Sequence, residues 1–269
     1  MSTPVEMLEK WVASGKAKAT NGVPRLFVLA ILAGAFIAIA GVASATATVS
    51  INSVSPSIAK FVGACVFPGG LAMVLLAGSE LFTGNTLILI SVIHGETKVS
   101  AMLKNWVVVY IGNFIGSVLI AAAVTYGHTL SLFGGADGGL AASVVATAAT
   151  KAGLPFGDAL IRGILCNFLV CIAVWIASGA NSAGGKLAGV FFPIMMFVLC
   201  GFEHSVANMY YLSAGWFAQS AYGLGDAITC ADIFIKNLLP VTLGNIIGGC
   251  VFVACAYTFA YKKKAEAEK

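Results

Sequence analysis

Six stretches of this chain run for about twenty residues or more with few charged side chains, at about 26–48, 61–93, 105–126, 157–178, 187–213 and 237–261. A bilayer's hydrocarbon core is about 30 Å thick, and a helix needs about 20 apolar residues to cross it. Six such segments predict an all-α integral membrane protein. Composition agrees: 59% of the 269 residues are apolar and 10% are charged, against roughly 25% charged in soluble domains. The net charge of +4 comes with no basic stripe interleaved with aromatics, so no nucleic-acid partner is expected. The first stretch ends in small residues, Ala43-Ser44-Ala45, as a cleaved leader would. It is long for a signal core, however, and follows 25 residues that include Glu6 and Glu9, so it reads as a true span.

With six spans both ends share one side of the membrane. Eleven of the fifteen Lys and Arg fall on that side, and Lys60, Lys151, Arg162 and Lys236 fall on the other. The positive-inside bias then predicts a multi-pass protein of the cell membrane, plasma or inner, with both termini cytoplasmic. Residues 1–25 place Leu8, Trp11 and Val12 at helical spacing among Lys10, Lys16 and Lys18. That predicts an amphipathic cytoplasmic segment lying on the membrane surface. Residues 26–261 form the membrane domain and 262–269 a basic cytoplasmic tail. The seven cysteines contain no CxxC and all but Cys230 lie in apolar runs. They read as small buried hydrophobes, not as a disulfide or metal framework.

The chain repeats itself. A shift of 132 lays KNWVVVYIGNFIG (104–116) over KNLLPVTLGNIIG (236–248), with seven identities in thirteen. A shift of 123 lays GSELFTGN (78–85) over GFEHSVAN (201–208), where Gly, Glu and Asn coincide. Each half is therefore three spans with a polar-interrupted middle one. Three is odd, so the second half enters the membrane in the opposite sense. The expected fold is two inverted three-helix repeats whose broken second and fifth helices meet near the midplane, the architecture of a permeation site.

Backbone that leaves helical geometry inside a membrane must be satisfied by protein or line a cavity. Gly78, Gly84 and Gly201 supply the freedom to break a helix. Ser79, Thr83, Ser205, Asn85 and Asn208 are expected to bond the freed backbone groups. Glu80 and Glu203 would each cost about 2.5–3.5 kcal/mol if left facing lipid, so both should turn inward. For Glu203 a structural role, bonding backbone or Lys151, fits better than contact with a solute. His204 reads either as a buried neutral histidine bonded to a backbone carbonyl or as a pore-facing group. Its place at a helix break favours the second, where it could share a proton with a weak acid. Phe67, Leu71, Leu81 and Phe197 lie near the breaks. They are either ordinary packing or a pair of greasy constrictions that disfavour a bare ion. GNFIG and GNIIG are small-xxx-small motifs that let helices approach closely.

No enzyme signature occurs. HExxH, Walker and GxGxxG patterns are absent, as is GxSxG with a plausible base, and the three histidines form no metal or haem pair. No metal and no cofactor are expected. Two other classes stay open: a neutral-solute channel of the water or glycerol kind, though paired Asn-Pro-Ala motifs are missing, and a membrane sensor without flux.

Taken together, LFTGN, NWVVVYIGNFIGS, GILCNFLVCIAVW, GFEHSVANM and NLLPVTLGNIIGG resemble the formate/nitrite transporter family over residues 20–261. The resemblance implies an aquaporin-like protomer in a homopentamer, each protomer passing a small monovalent anion or its conjugate acid. It also implies a central histidine at His204, with Thr83 on the loop that interrupts the second helix. The vestibule lysine falls on Lys151, and Glu203, Asn167 and Asn208 match the polar residues that tune it and the break. The constrictions fall on Phe67, Leu71, Leu81 and Phe197. GFEHS, PIMMF and LLPVT look closer to the formate branch. GSELFTGN looks closer to the nitrite branch and to formate-dehydrogenase-associated members. Formate is the first expectation; nitrite or hydrosulfide is the alternative.

Overall fold

The structure, a computed structural model, describes residues 1–134 and 139–267; residues 268 and 269 of the expected basic tail lie outside them. Among the described residues there are helices and no strand. In order they are α1 (Pro4–Thr20), α2 (Val23–Asn52), α3 (Pro56–Val66), α4 (Gly69–Ala77), α5 (Phe82–Asn85), α6 (Ile88–Ile93) and α7 (Val99–Tyr126). After these come α8 (Leu140–Ala152), α9 (Phe156–Gly179), α10 (Ala183–Leu199), α11 (Ser205–Ala221), α12 (Leu239–Gly249) and α13 (Ala256–Ala267). Wider π-type turns over Asp232–Leu238 and Cys250–Cys255 join α12 to its neighbours in one long rod. Among the described residues five helices are long and apolar enough to cross a membrane: α2, Pro56–Ala77, α7, α9 and Asp232–Lys262. The fifth expected span instead divides into α10 and α11, of 17 residues each. Helix α8, with 13 residues, is too short to register as a crossing and was not anticipated.

Two closely packed pairs, α2 with α7 and α9 with α12, form the frame. Small residues permit it. A Cβ on Gly116 would overlap the Ile31 carbonyl, and one on Gly248 would overlap the Ile164 carbonyl. These are the small-xxx-small motifs at work, trading side-chain volume for backbone contact. Large apolar side chains such as Leu32, Val107, Leu119, Ile161, Phe192 and Phe252 stand exposed around the outside. Water would penalise that belt; lipid or a neighbouring subunit does not.

Helix α1 begins at a capping box, with Glu6 N donating to Thr3 Oγ1 (3.3 Å) and Thr3 N to Glu6 Oε2 (2.7 Å). Its apolar stripe, Met7, Leu8, Trp11, Gly15 and Ala19, is buried. The partners are α6, α9, α7 and α13, so the stripe faces protein, not lipid. Lys16 pairs with Glu96 at 2.8 Å, and Ser2 N donates to Gly179 O at 2.8 Å. The cysteines are all free. Cys166, Cys171 and Cys250 are buried, but Cys200 and Cys255 are exposed as well as Cys230. Those two sit in apolar runs that turn outward, which hydropathy alone does not distinguish from inward.

Candidate functional site

The two breaks are built alike. Gly78 (φ +78°) ends α4 and Gly201 (φ +69°) follows α10; both are left-handed positions that favour glycine. The chain then runs extended to Leu81 (φ −110°, ψ 125°) and to His204 (φ −106°, ψ 116°) before α5 and α11 begin. Gly84, expected as a third breaker, lies inside α5. The freed backbone groups are met chiefly by Asn113 and Asn245. Asn113 Oδ1 accepts from Phe82 N (2.9 Å), and its Nδ2 donates to Ala30 O (2.7 Å) and Glu80 O (2.9 Å). Asn245 Oδ1 accepts from Ser205 N (2.8 Å), and its Nδ2 donates to Gly163 O (2.8 Å) and Glu203 O (2.9 Å). Each amide stitches a break to a long helix and leaves none of these buried groups unpaired.

Asn85 and Asn208, expected to serve the backbone, hold carboxylates instead. Lys151 Nζ lies 2.9 and 3.0 Å from the two oxygens of Glu203. Asn208 Nδ2 donates to Glu203 Oε2 (2.6 Å) and Asn237 Oδ1 (2.8 Å), and Asn237 Nδ2 closes the ring on Lys151 O (2.8 Å). The Lys151 ammonium also sits 5.4 Å over the Tyr211 ring. The other half has the same ring. Lys18 Nζ lies 2.9 Å from both oxygens of Glu80. Asn85 Nδ2 donates to Glu80 Oε2 (2.7 Å) and Asn105 Oδ1 (2.8 Å), and Asn105 Nδ2 to Lys18 O (3.0 Å). Both lysines occupy the last turn of their helix, α1 and α8, where the free carbonyls favour a cation.

At the centre His204 Nδ1 accepts from Ala207 N (3.0 Å), capping α11. An amide can only donate, so a neutral ring carries its proton on Nε2 and donates it to Thr83 Oγ1 at 2.9 Å. Phe197 stacks on the imidazole, with centroids 5.9 Å apart and planes 16° apart. Beside it the Ser205 hydroxyl is buried without a partner.

Two cavities reach the breaks, and they share no lining residue. The larger, about 250 Å³, is bordered by Asn52 and Pro56 at the far end of α2 and reaches inward to Phe67, Phe197 and His204. The smaller, about 180 Å³, is bordered by Trp11 and Lys18 of α1 and reaches Leu71, Leu81 and Gly84. Phe67 packs edge-on against Phe197, with centroids 5.9 Å apart. All four of Phe67, Leu71, Leu81 and Phe197 are buried. Phe67 and Phe197 border the larger cavity together with His204, and Leu71 and Leu81 border the smaller.

Asn167 is the expected residue that lies apart from the lysine. Its Nδ2 donates to Thr83 O (3.2 Å), Thr86 Oγ1 (3.2 Å) and Asn245 O (2.6 Å), so it braces the Thr83 turn and does not touch Lys151. The residues that sequence reasoning passed over are Lys18, Asn105 and Asn237. A signal for them existed. The 132 shift already paired Asn105 with Asn237, and one residue more carries Lys18 onto Lys151. Among the described residues no cluster of three or more His, Cys, Asp or Glu could hold a metal ion.

The family profile described as Formate/nitrite transporter matches residues 5–259. The chain is 39% identical to the uncharacterized transporter YrhG of Bacillus subtilis, over 99% of this chain and 96% of that protein. It is 37% identical to the formate channel FocA of Haemophilus influenzae, over 93% and 92%. Its fold is similar to a solved pentameric formate channel with formate bound, with a TM-score of 0.76 and 32% identity over 89% of this chain and 98% of that one.

Proposed function

This chain belongs to the formate/nitrite transporter family, and from that premise we propose that it is a membrane channel for small monovalent anions, formate first. In this reading the chain crosses the bilayer six times, as two three-helix repeats of opposite sense in an aquaporin-like protomer. Five protomers assemble, each with its own pore, and both termini face the cytoplasm of the cell membrane. The solved pentameric formate channel supports this assembly. One observation carries the reading: two cavities that share no lining residue are bordered by apolar plugs, Phe67 with Phe197 at the larger and Leu71 with Leu81 at the smaller, and the His204–Thr83 contact links the two breaks.

The plugs define the chemical problem. A bare carboxylate in a medium without replacement dipoles is disfavoured by tens of kcal/mol on the Born estimate, while a neutral polar group costs several. A weak-acid anion that takes a proton escapes most of that cost. His204 then offers the solute a neutral Nε2–H, Thr83 offers its hydroxyl, and the unpartnered Ser205 hydroxyl faces the same start of α11. The amides there form the positive end of a 17-residue helix. Proton coupling through His204 acquires a specific form. The ring can take a proton at Nδ1 only by releasing the Ala207 amide, so charging the imidazole loosens the cap of α11 at a cost of about 1 kcal/mol. Lys151 with Glu203, Asn208 and Asn237 holds one vestibule wall. Lys18 with Glu80, Asn85 and Asn105 holds the other. Asn167 keeps the Thr83 turn in place.

The test is flux into proteoliposomes holding the purified protein, from about pH 5 to pH 8, with formate, nitrite, hydrosulfide and glycerol. Formate uptake that rises on acidification and falls at least tenfold in His204→Asn is expected. A preference for nitrite or hydrosulfide would move the substrate within the family. Glycerol flux without anion flux would sink the anion-channel reading.

A further inference from the structure

A lysine ammonium is a point charge with three donors on a flexible stem, so something must hold it in place. At Lys151 the carboxylate of Glu203 does part of this, with Nζ 2.9 and 3.0 Å from its two oxygens. The ammonium also meets an aromatic face: Nζ lies 5.4 Å from the centroid of the Tyr211 ring, inside the roughly 6 Å at which a ring attracts a cation. The ring is itself fixed on α2. A Cβ on Gly41 would stand 3.4 Å from Tyr211 Cζ. The Tyr211 hydroxyl has Ser44 as its hydrogen-bond partner, and Ser44 Oγ donates to Gly63 O at 3.1 Å. With the Ser44 proton directed at Gly63, the Tyr211 hydroxyl is the donor in that pair. Tyr211 also borders the larger cavity. His204, Ala207, Asn208 and Tyr211 all line it, as does Lys151, and the four have the i, i+3, i+4, i+7 spacing of one face of α11. The other half lacks this device. The shift of 123 that superposes the breaks lays Tyr211 over Ile88, which is buried and offers no π face.

On the reading that this chain is an anion channel, we propose that Tyr211 is a positioning residue of the larger vestibule, whose ring holds the Lys151 ammonium at the cavity wall for the entering anion. The choice of an aromatic has a physical reason. A second carboxylate beside Lys151 would also confine it, but would cancel its charge and repel an anion. A neutral π face attracts the cation and adds no net charge. Ordering a long lysine side chain costs rotamer freedom. A ring already seated on Gly41 and Ser44 imposes that order before the solute arrives, and pre-organisation of this kind improves binding. The ring acts through Lys151, and the hydroxyl, turned to Ser44, takes no part in recognising the solute.

The experiment compares wild-type protein with Tyr211→Met and Tyr211→Phe in proteoliposomes of determined orientation, following initial formate flux over a range of concentrations from each side. Methionine is unbranched and adapts to the space the ring leaves. Tyr211→Met should raise the half-saturating formate concentration for entry through the larger vestibule about fivefold, the size expected for one cation–π contact. Its maximal rate should stay within about twofold of wild type, because the contact acts on binding and not on passage. Entry through the smaller vestibule should keep its half-saturation. Tyr211→Phe retains the face and should stay within about twofold of wild type throughout. An unchanged half-saturation in Tyr211→Met overturns the proposal. An equal rise in Tyr211→Phe also overturns it, by giving the role to the hydroxyl. So does a Tyr211→Met loss confined to the maximal rate, or a Tyr211→Met oligomer that falls apart in size-exclusion chromatography, since the ring would then be packing only. Each of these leaves the channel reading standing. Wild-type protein that passes neither formate nor nitrite overturns the channel reading itself and this proposal with it.

Discussion

The break after α4 and the break before α11 share a skeleton and differ at their centre. Each has a left-handed glycine, an asparagine bridge to a long helix, and a lysine–glutamate–asparagine–asparagine ring. The shift of 123 that aligns them lays Leu81 over His204, Phe82 over Ser205 and Thr83 over Val206. One half therefore contributes a leucine side chain and a threonine hydroxyl, the other an imidazole and an unpartnered serine hydroxyl. The identical parts satisfy backbone and buried charge, which any interruption of a membrane helix must do. The differing parts lie where the breaks approach the cavities: His204 borders the larger one and Leu81 the smaller.

The strongest test of the shared skeleton is Asn245→Ala beside Asn113→Ala. Each strips partners from one buried amide and two buried carbonyls, at about 1–3 kcal/mol per orphaned group. Thermal unfolding in detergent should show a loss of at least about 3 kcal/mol in both. A much smaller loss in Asn113→Ala would mean that the halves are not equivalently built. Next comes Glu203→Gln, which leaves Lys151 without its carboxylate. Removing one partner of a buried pair costs about 3–5 kcal/mol, and the residual exposure of Lys151 together with Tyr211 places this case near the low end. Glu80→Gln should lose slightly less, because Lys18 is the more exposed lysine.

The differing centre is tested by making the halves alike. His204→Leu copies Leu81, removes the cap and the donor to Thr83, and should reduce formate flux at least tenfold while costing about 1 kcal/mol in stability. Flux within twofold of wild type would remove His204 from the path. Thr83→Val copies Val206 and loses one hydrogen bond of about 1 kcal/mol, so flux should fall about fivefold. Last, Lys16→Ala breaks the exposed pair with Glu96, whose side chains are 57% and 46% exposed. Exposed pairs are worth about 0–1 kcal/mol, so a shift within about 0.5 kcal/mol is expected. A larger one would show that α1 is held by this contact rather than by Leu8 and Trp11.

Much of this was readable in the one-dimensional pattern. Hydropathy located the membrane segments because each had to be long and apolar, and it split two of them where Glu80 and Glu203 interrupt. Self-alignment paired Asn105 with Asn237 and Asn113 with Asn245. Short helix α8 was missed because 13 residues fall below any span threshold. The docking of α1 on protein was missed because an amphipathic stripe looks the same whether its partner is lipid or another helix.

The sequence by itself determined that this chain belongs in a membrane, that it is built of two related halves, and that each half carries an interrupted helix. Those properties rest on local composition and on spacing, which survive in a string of letters. Tertiary structure alone decided which partner each polar side chain found. Asn113 and Asn245 serve the breaks while Asn85 and Asn208 serve the carboxylates, Asn167 braces Thr83 and not Lys151, and Lys18 meets Glu80 across 62 residues. A buried polar atom must pair with whatever the packing brings within 3 Å or so, and that neighbour is set by how helices cross, not by their order in the chain.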